Sequence, residues 1–173
     1  MSDQLPDTIK PQSLIDTEGQ LNGFTELAAM KRLSALLVSN DGVVEARLAF
    51  GRDRQGIKYV RGSLKTELLL TCQRCLEAVR YPVDVTLSLA LLNSEDQAEG
   101  LPDQYDPAVL DSQSLSLTTL IEDELILALP IVAMHPETEC SDHVKAEPGN
   151  DGREKQNPFA ALEQLKGKLN STQ

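Results

Sequence analysis

Every thiol and every imidazole of the chain falls into two short clusters. Cys72 and Cys75, two of the three cysteines, stand at Cys-x-x-Cys spacing. Cys140 and His143 have the same gap, and His135 lies five residues before Cys140. Zinc asks for about four soft or borderline donors in a tetrahedron. Cys72, Cys75 and Cys140 with either His143 or His135 make up such a Cys3His set, although neither cluster has the full spacing of a recognised zinc finger. Thiol redox chemistry is the second reading. A thioredoxin-type pair places its first cysteine at a helix N-terminus to stabilise the thiolate, whereas strand-like runs flank this pair, and Arg74 is the lone cation between the two thiols. The third reading is two small side chains at a turn. Zinc, redox chemistry and a plain turn all stay open at this point. Ser141-Asp142-His143 has the letters of a triad, but consecutive residues do not form one. No His-Glu-x-x-His motif and no Gly-rich phosphate loop is present.

The elements around the pair read as strands. Leu68-Leu69-Leu70 enters it, and Pro82 to Leu92 leaves it with Val83, Val85, Leu87, Leu89 and Leu91 on one side. The pair therefore sits at the tip of a hairpin. Val43 to Phe50 alternates, with Val44, Ala46, Leu48 and Phe50 opposite Glu45 and Arg47. Ile57 to Thr71 sets Val60, Leu64, Leu68 and Leu70 against Arg61, Ser63, Lys65 and Glu67. Three alternating strands with short turns predict an antiparallel meander with one face in the core. Leu14-Ile15 and Leu21 to Phe24 read as short strand pieces. Thr25 to Val38 has helical spacing at Leu27, Met30, Leu33, Leu36 and Leu37, with Thr25 as its cap. Asn93 to Asp111 reads as an acidic surface loop. Leu117 to Leu129 is the clearest helix, capped by Ser116 and stopped by Pro130.

The fold class expected is α+β: an antiparallel sheet, meander or partly closed barrel, packed by two main helices. Residues 1–13 are expected to be a flexible N-terminus, 14–140 the single domain and 141–156 a flexible acidic linker. Residues 157–173 are expected to be a docking segment, a short C-terminal helix opened by Asn157-Pro158 with Phe159 on its apolar face.

The 173 residues carry a formal charge of −11, and aromatic residues make up only 3%. The core must be aliphatic, and wholesale binding along DNA is not expected. No apolar run reaches the roughly 18 residues of a membrane span. Met1-Ser2-Asp3-Gln4 does not start a secretory signal, and an odd cysteine count suits a reducing compartment, so a cytoplasmic protein is expected. The charge is laid out unevenly. From Arg47 to Arg80 eight basic residues face three acidic ones, while from Tyr81 to Val144 there are thirteen acidic residues and no Lys or Arg. Internal complementarity is the simpler reading. The sharper one gives Arg61, Lys65, Arg74 and Arg80 to RNA phosphates, and Glu122, Asp123, Glu124 and Phe159 to a basic partner protein.

Gly51-Arg52-Asp53, Leu70 to Glu77 with its thiol tip, Ala98-Glu99-Gly100-Leu101-Pro102, Ile121 to Pro130 and Asn157 to Leu162 follow one another in that order. In combination they resemble the bacterial YceD family, the large ribosomal RNA subunit accumulation proteins, over most of the chain. The resemblance implies a non-enzymatic factor of ribosome biogenesis, needed for synthesis, processing or stability of 23S rRNA. The partner it implies is the large-subunit rRNA precursor or a large-subunit ribosomal protein. It carries over no catalytic residue. The thiol tip of the family matches Cys72 and Cys75. Relatives often carry further His or Cys after the Leu-Pro step, which His135 and Cys140 echo, so a bound zinc is implied without a settled fourth ligand. The alternative is a zinc- or thiol-dependent enzyme, a thiol oxidoreductase or an RNA-processing enzyme.

Overall fold

The computed structural model describes residues 3–110, 113–136 and 140. Two short strands come first, β1 (Asp3–Gln4) and β2 (Thr8–Ile9). α1 (Pro11–Asp16) follows, with Pro11 in its first turn, where the missing N–H costs nothing. Next are β3 (Gln20–Glu26), a 3-10 turn at Leu27–Ala29 and α2 (Lys31–Ser34). Three long strands form the centre: β4 (Val43–Arg52), β5 (Lys58–Thr71) and β6 (Ala78–Leu92). A second 3-10 turn, Glu95–Ala98, leads to β7 (Asp106–Val109), β8 (Leu115–Ser116) and α3 (Leu117–Leu127).

The main sheet runs β1-β3-β4-β5-β6-β7, open at both edges, and β2 pairs with β8 in a small sheet of its own. β3 to β6 are an antiparallel meander, while β1 and β7 add to its edges in parallel. Alternation decides which face is dry. Val44, Ala46, Leu48 and Phe50 of β4 and Val60, Leu64 and Leu68 of β5 are buried, as are Val83, Leu87, Leu89 and Leu91 of β6. They pack in one core with Ile15 of α1, Leu33 of α2 and Leu117, Leu120, Ile121 and Leu125 of α3. Each of the larger of these side chains, fully buried, contributes about 1.5–3 kcal/mol. At Gly62, paired with Leu48, the strands come so close that a Cβ would run into the carbonyl oxygen of Arg47. The hydroxyl of Ser116 accepts the N–H of Thr119 and caps α3, as its sequence predicts.

The α+β class and the meander are as expected, and three details differ. Leu14 and Ile15 belong to α1 and not to a strand, because Pro11 starts a helix that buries Ile15. The long helix expected from Thr25 to Val38 is absent. Thr25 is a buried residue of β3, and Leu27, Met30 and Leu33 reach the core from a 3-10 turn and a single helical turn. Spacing of three residues serves both kinds of turn, so the pattern did not fix the length. α3 is therefore the one helix of more than two turns among the described residues. The third difference is the acidic loop: it supplies an edge strand, β7, which tolerates Pro107 because an edge position needs fewer ladder donors. The expected linker 141–156 and docking segment 157–173 lie outside the described residues, and Phe159 and His143 with them.

Candidate metal centre

Thr71 and Ala78 are the last paired residues of the β5–β6 hairpin, and Cys72 and Cys75 lie in the turn beyond them. The turn is closed by the N–H of Cys72 on the carbonyl of Glu77 (2.8 Å) and that of Leu76 on the carbonyl of Cys72 (2.9 Å). Leu76 has φ +65°, a left-handed conformation that costs a branched residue energy and needs a surrounding that enforces it. The segment after α3 runs back past the tip. Gln73 donates its N–H to the carbonyl of Ala133 (2.8 Å), and the N–H of His135 points at Cys72 Sγ (3.4 Å).

This returning segment brings His135 and Cys140 to the thiol pair. One donor atom from each of Cys72, Cys75, His135 and Cys140 can be chosen so that all four lie within 4.8 Å of one another. Cys72 Sγ and Cys140 Sγ are 3.8 Å apart, and Cys75 Sγ and His135 Nδ1 3.4 Å. For a tetrahedral zinc with Zn–S near 2.3 Å and Zn–N near 2.0 Å, the corresponding edges are about 3.8 Å and about 3.5 Å. The imidazole is oriented for the task. Its Nε2 is 3.1 Å from the carbonyl oxygen of Ala78, which can only accept, so Nε2 carries the proton and Nδ1 presents a lone pair to the sulfurs. Cys72 and Cys140 are buried, Cys75 and His135 partly so.

The thiols differ in acidity. The backbone N–H of Cys75 does most to stabilise a thiolate at Cys72. Burial opposes it, the N–H groups of His135 and Arg74 add to it, and the thiol is brought down to about 5. At Cys75 the N–H of Glu77 favours the thiolate, but burial and the nearby sulfurs of Cys140 and Cys72 together push the thiol up. Crowded sulfurs that cannot all ionise by themselves are what a divalent cation relieves, since it binds thiolates outright.

The cations expected at RNA phosphates are spread along the hairpin, and each has a partner in the chain. Arg61 lies over the stacked rings of Tyr59 and Tyr105, 4.6 Å from the centroid of the first and 4.9 Å from that of the second. It donates to the Tyr105 hydroxyl at 2.8 Å, and that hydroxyl donates to Asp53 at 3.1 Å. Burial works against ionising Asp53, yet the N–H of Ile57, the Tyr105 hydroxyl, the N–H of Gln55 and Arg61 outweigh it and hold the carboxyl low. Lys65 pairs with Asp84 at 2.8 Å and Arg80 with Glu67 at 2.7 Å, all four exposed. The guanidinium of Arg74 reaches the carbonyls of His135 and Pro136, both at 3.4 Å.

The three carboxylates of α3 do not share one surface. Glu122 is turned inward and only 6% exposed. It accepts the backbone N–H of Arg32 (2.6 Å) and of Leu33 (3.0 Å), so it caps α2, whose own cap residue Met30 has no side chain to do so. The Arg32 guanidinium then bridges Glu122 at 2.9 Å and Asp123 at 2.6 Å. Asp123 and Glu124 remain of the expected partner surface. Sequence reasoning missed Arg32 and the Asp53–Tyr105–Arg61 chain. Neither leaves a signal in spacing, since the partners lie 44 to 91 residues apart.

A family model described as "Large ribosomal RNA subunit accumulation protein YceD" matches residues 60–166. A curated protein of that description from Haemophilus influenzae is 30% identical over 172 residues, covering 95% of this chain and 98% of its own length. No solved structure matches.

Proposed function

We propose that this chain, which belongs to the YceD family of large ribosomal RNA subunit accumulation proteins, is a non-catalytic binding factor of large-subunit biogenesis built around a structural zinc. The observation that carries this reading is the convergence of Cys72, Cys75, His135 and Cys140. Four protein donors close a zinc, whereas a catalytic zinc keeps a position open for water or substrate. The metal would fasten the hairpin tip to the segment after α3, and it would supply rigidity without a reaction step. The fourth ligand proposed is His135, while His143 lies outside the described residues.

Binding a large-subunit protein is favoured over binding the rRNA precursor directly. Arg61, Lys65, Arg74 and Arg80 would each have to leave a partner in the chain to meet a phosphate, while Asp106 and Glu124 have no cation among the described ion pairs. No helix among the described residues is long and apolar enough to cross a membrane. The cytoplasm, where ribosomes are assembled, is the proposed place of action.

Elemental analysis of the untagged protein tests the zinc. About one zinc per chain, lost in Cys140→Ser, is expected. No metal and three freely titrating thiols would remove it. A redox enzyme would instead keep its fold in Cys72→Ser and lose only a thiol activity. The binding-factor reading is tested in a strain lacking the gene, where the intact chain is expected to restore 23S rRNA and a folded variant without its partner surface is not.

A further inference from the structure

β7 and α3 leave a groove of about 630 Å³ between them. Its floor is apolar, with Leu89 and Leu120. Two aliphatic side chains stand on its rim, Leu127 at 80% and Val109 at 40% exposure. Asp106, Asp123 and Glu124 line it, and no Lys or Arg among the described residues does. The described ion pairs leave Asp106 and Glu124 without a cation, and Asp123 shares Arg32 with Glu122. Burial, then Asp106 and Asp123, push the Glu124 carboxyl up, as expected of crowded like charges beside an apolar wall. β7 also ends the sheet, so its outer edge has no strand partner among the described residues.

We propose that this groove docks an extended, Lys- or Arg-bearing segment of a partner protein. Apolar side chains of the segment would cover Leu120 and Leu127, and its cations would lie between Asp106 and Glu124. Its backbone would meet the open edge of β7, the geometry of strand addition. RNA does not suit the site, because phosphates would face Asp106 and Glu124, which have no cation among the described residues, beside an Asp123 already paired with Arg32. A second copy is disfavoured by the charge of −11 on each chain. The proposal deepens the binding-factor reading and rests on it for the partner's role, but the groove itself does not depend on zinc.

The test is an NMR titration of the full-length, metal-loaded protein with a synthetic peptide of alternating Lys and Val. A Glu–Val peptide of equal length and a single-stranded RNA oligonucleotide serve as comparisons. Saturable shifts confined to β7 and α3 are expected with the Lys–Val peptide alone, with affinity falling as salt rises. Asp106→Lys combined with Glu124→Lys is expected to weaken binding about tenfold or more. Leu127→Ser, at an exposed position that leaves the core intact, is expected to weaken it as well. The proposal is overturned by shifts elsewhere, by no saturable binding, by equal binding in the variants, or by RNA moving the same resonances. Concentration-dependent shifts in the groove without peptide would assign it to a second copy and overturn it too. The double Lys variant, returned to a strain lacking the gene, separates the two ideas. Restored 23S rRNA there would detach the groove from the binding-factor reading, while the titration alone decides the groove.

Discussion

Glu122 of α3 and Leu33 of α2, 89 residues apart in the chain, are joined by a hydrogen bond of 3.0 Å from backbone N–H to carboxylate. The same carboxylate takes the N–H of Arg32, so a one-turn helix receives its cap from another helix. Glu122→Ala would leave both N–H donors without their carboxylate acceptor, and a loss of about 2–3 kcal/mol is expected in urea unfolding at neutral pH. Burial pushes the Glu122 carboxyl up, but the Leu33 and Arg32 contacts outweigh it, so the folded pKa lies below the ordinary one. A lowered folded value means stability that is present above the unfolded value, near 4.3, and lost as pH falls through the folded one. The gap between wild type and Glu122→Ala should therefore narrow below about pH 4.

Chelation is expected to lower the melting temperature and make Cys72 and Cys75 reactive toward thiol reagents. His135→Ala should do the same without chelator, while Arg74→Ala, which removes no donor, should retain the metal. Because thiols and imidazole must be deprotonated to bind, affinity should fall steadily on acidification. Metal content by elemental analysis across pH checks each statement.

Leu76→Gly should stabilise the protein. Leu76 holds φ +65° and is 74% exposed, so glycine relieves the left-handed backbone and gives up little buried surface. Relief of about 1–2 kcal/mol against about 0.5–1 kcal/mol of added chain entropy leaves a net gain of roughly 0–1.5 kcal/mol, centred at about 0.75. Thermal unfolding of the metal-loaded protein reads it, and a lower melting temperature would contradict it.

Tyr105→Phe removes one hydroxyl that accepts from Arg61 and donates to Asp53. A cost of about 1–2 kcal/mol is expected. Hydrogen exchange should rise first in residues 95–105, which Tyr105 pins to the sheet beside Ala90 and Leu92. No change in exchange in residues 95–105 would show that the hydroxyl chain does not hold this segment to the sheet.

Much of the architecture could be read from alternation. β4, β5 and β6 have one apolar side each, and their order, faces and turns follow from that pattern. The hairpin tip and α3 with its Ser116 cap were equally legible. What could not be read rests on contacts distant in sequence. Leu27, Met30 and Leu33 at intervals of three describe a 3-10 turn plus a helical turn as well as they describe a helix. β7 hid in an acidic, proline-containing stretch because a parallel edge strand of four residues needs neither alternation nor length. At the metal centre the ligand types were visible, but the contact of His135 with the Ala78 carbonyl was not. The charge imbalance was legible too, but its resolution in pairs such as Lys65–Asp84 and Arg80–Glu67 emerges only from the register of β5 on β6.

That register runs without interruption from Tyr59 opposite Ala90 to Thr71 opposite Ala78. It dictates where the gene can change length. A single codon lost within β5 would move every later residue to the opposite face, carrying Lys65 and Glu67 toward the core and Leu64 and Leu68 into water. A codon gained at the tip would shift the thiols away from His135. The turn after Arg52 moves no thiol and lies at the far end of the β5–β6 hairpin, so a change of length at its exposed tip, residues 54–56, leaves that register intact. Insertions and deletions among descendants of this sequence should therefore gather at that turn and spare the hairpin from end to end.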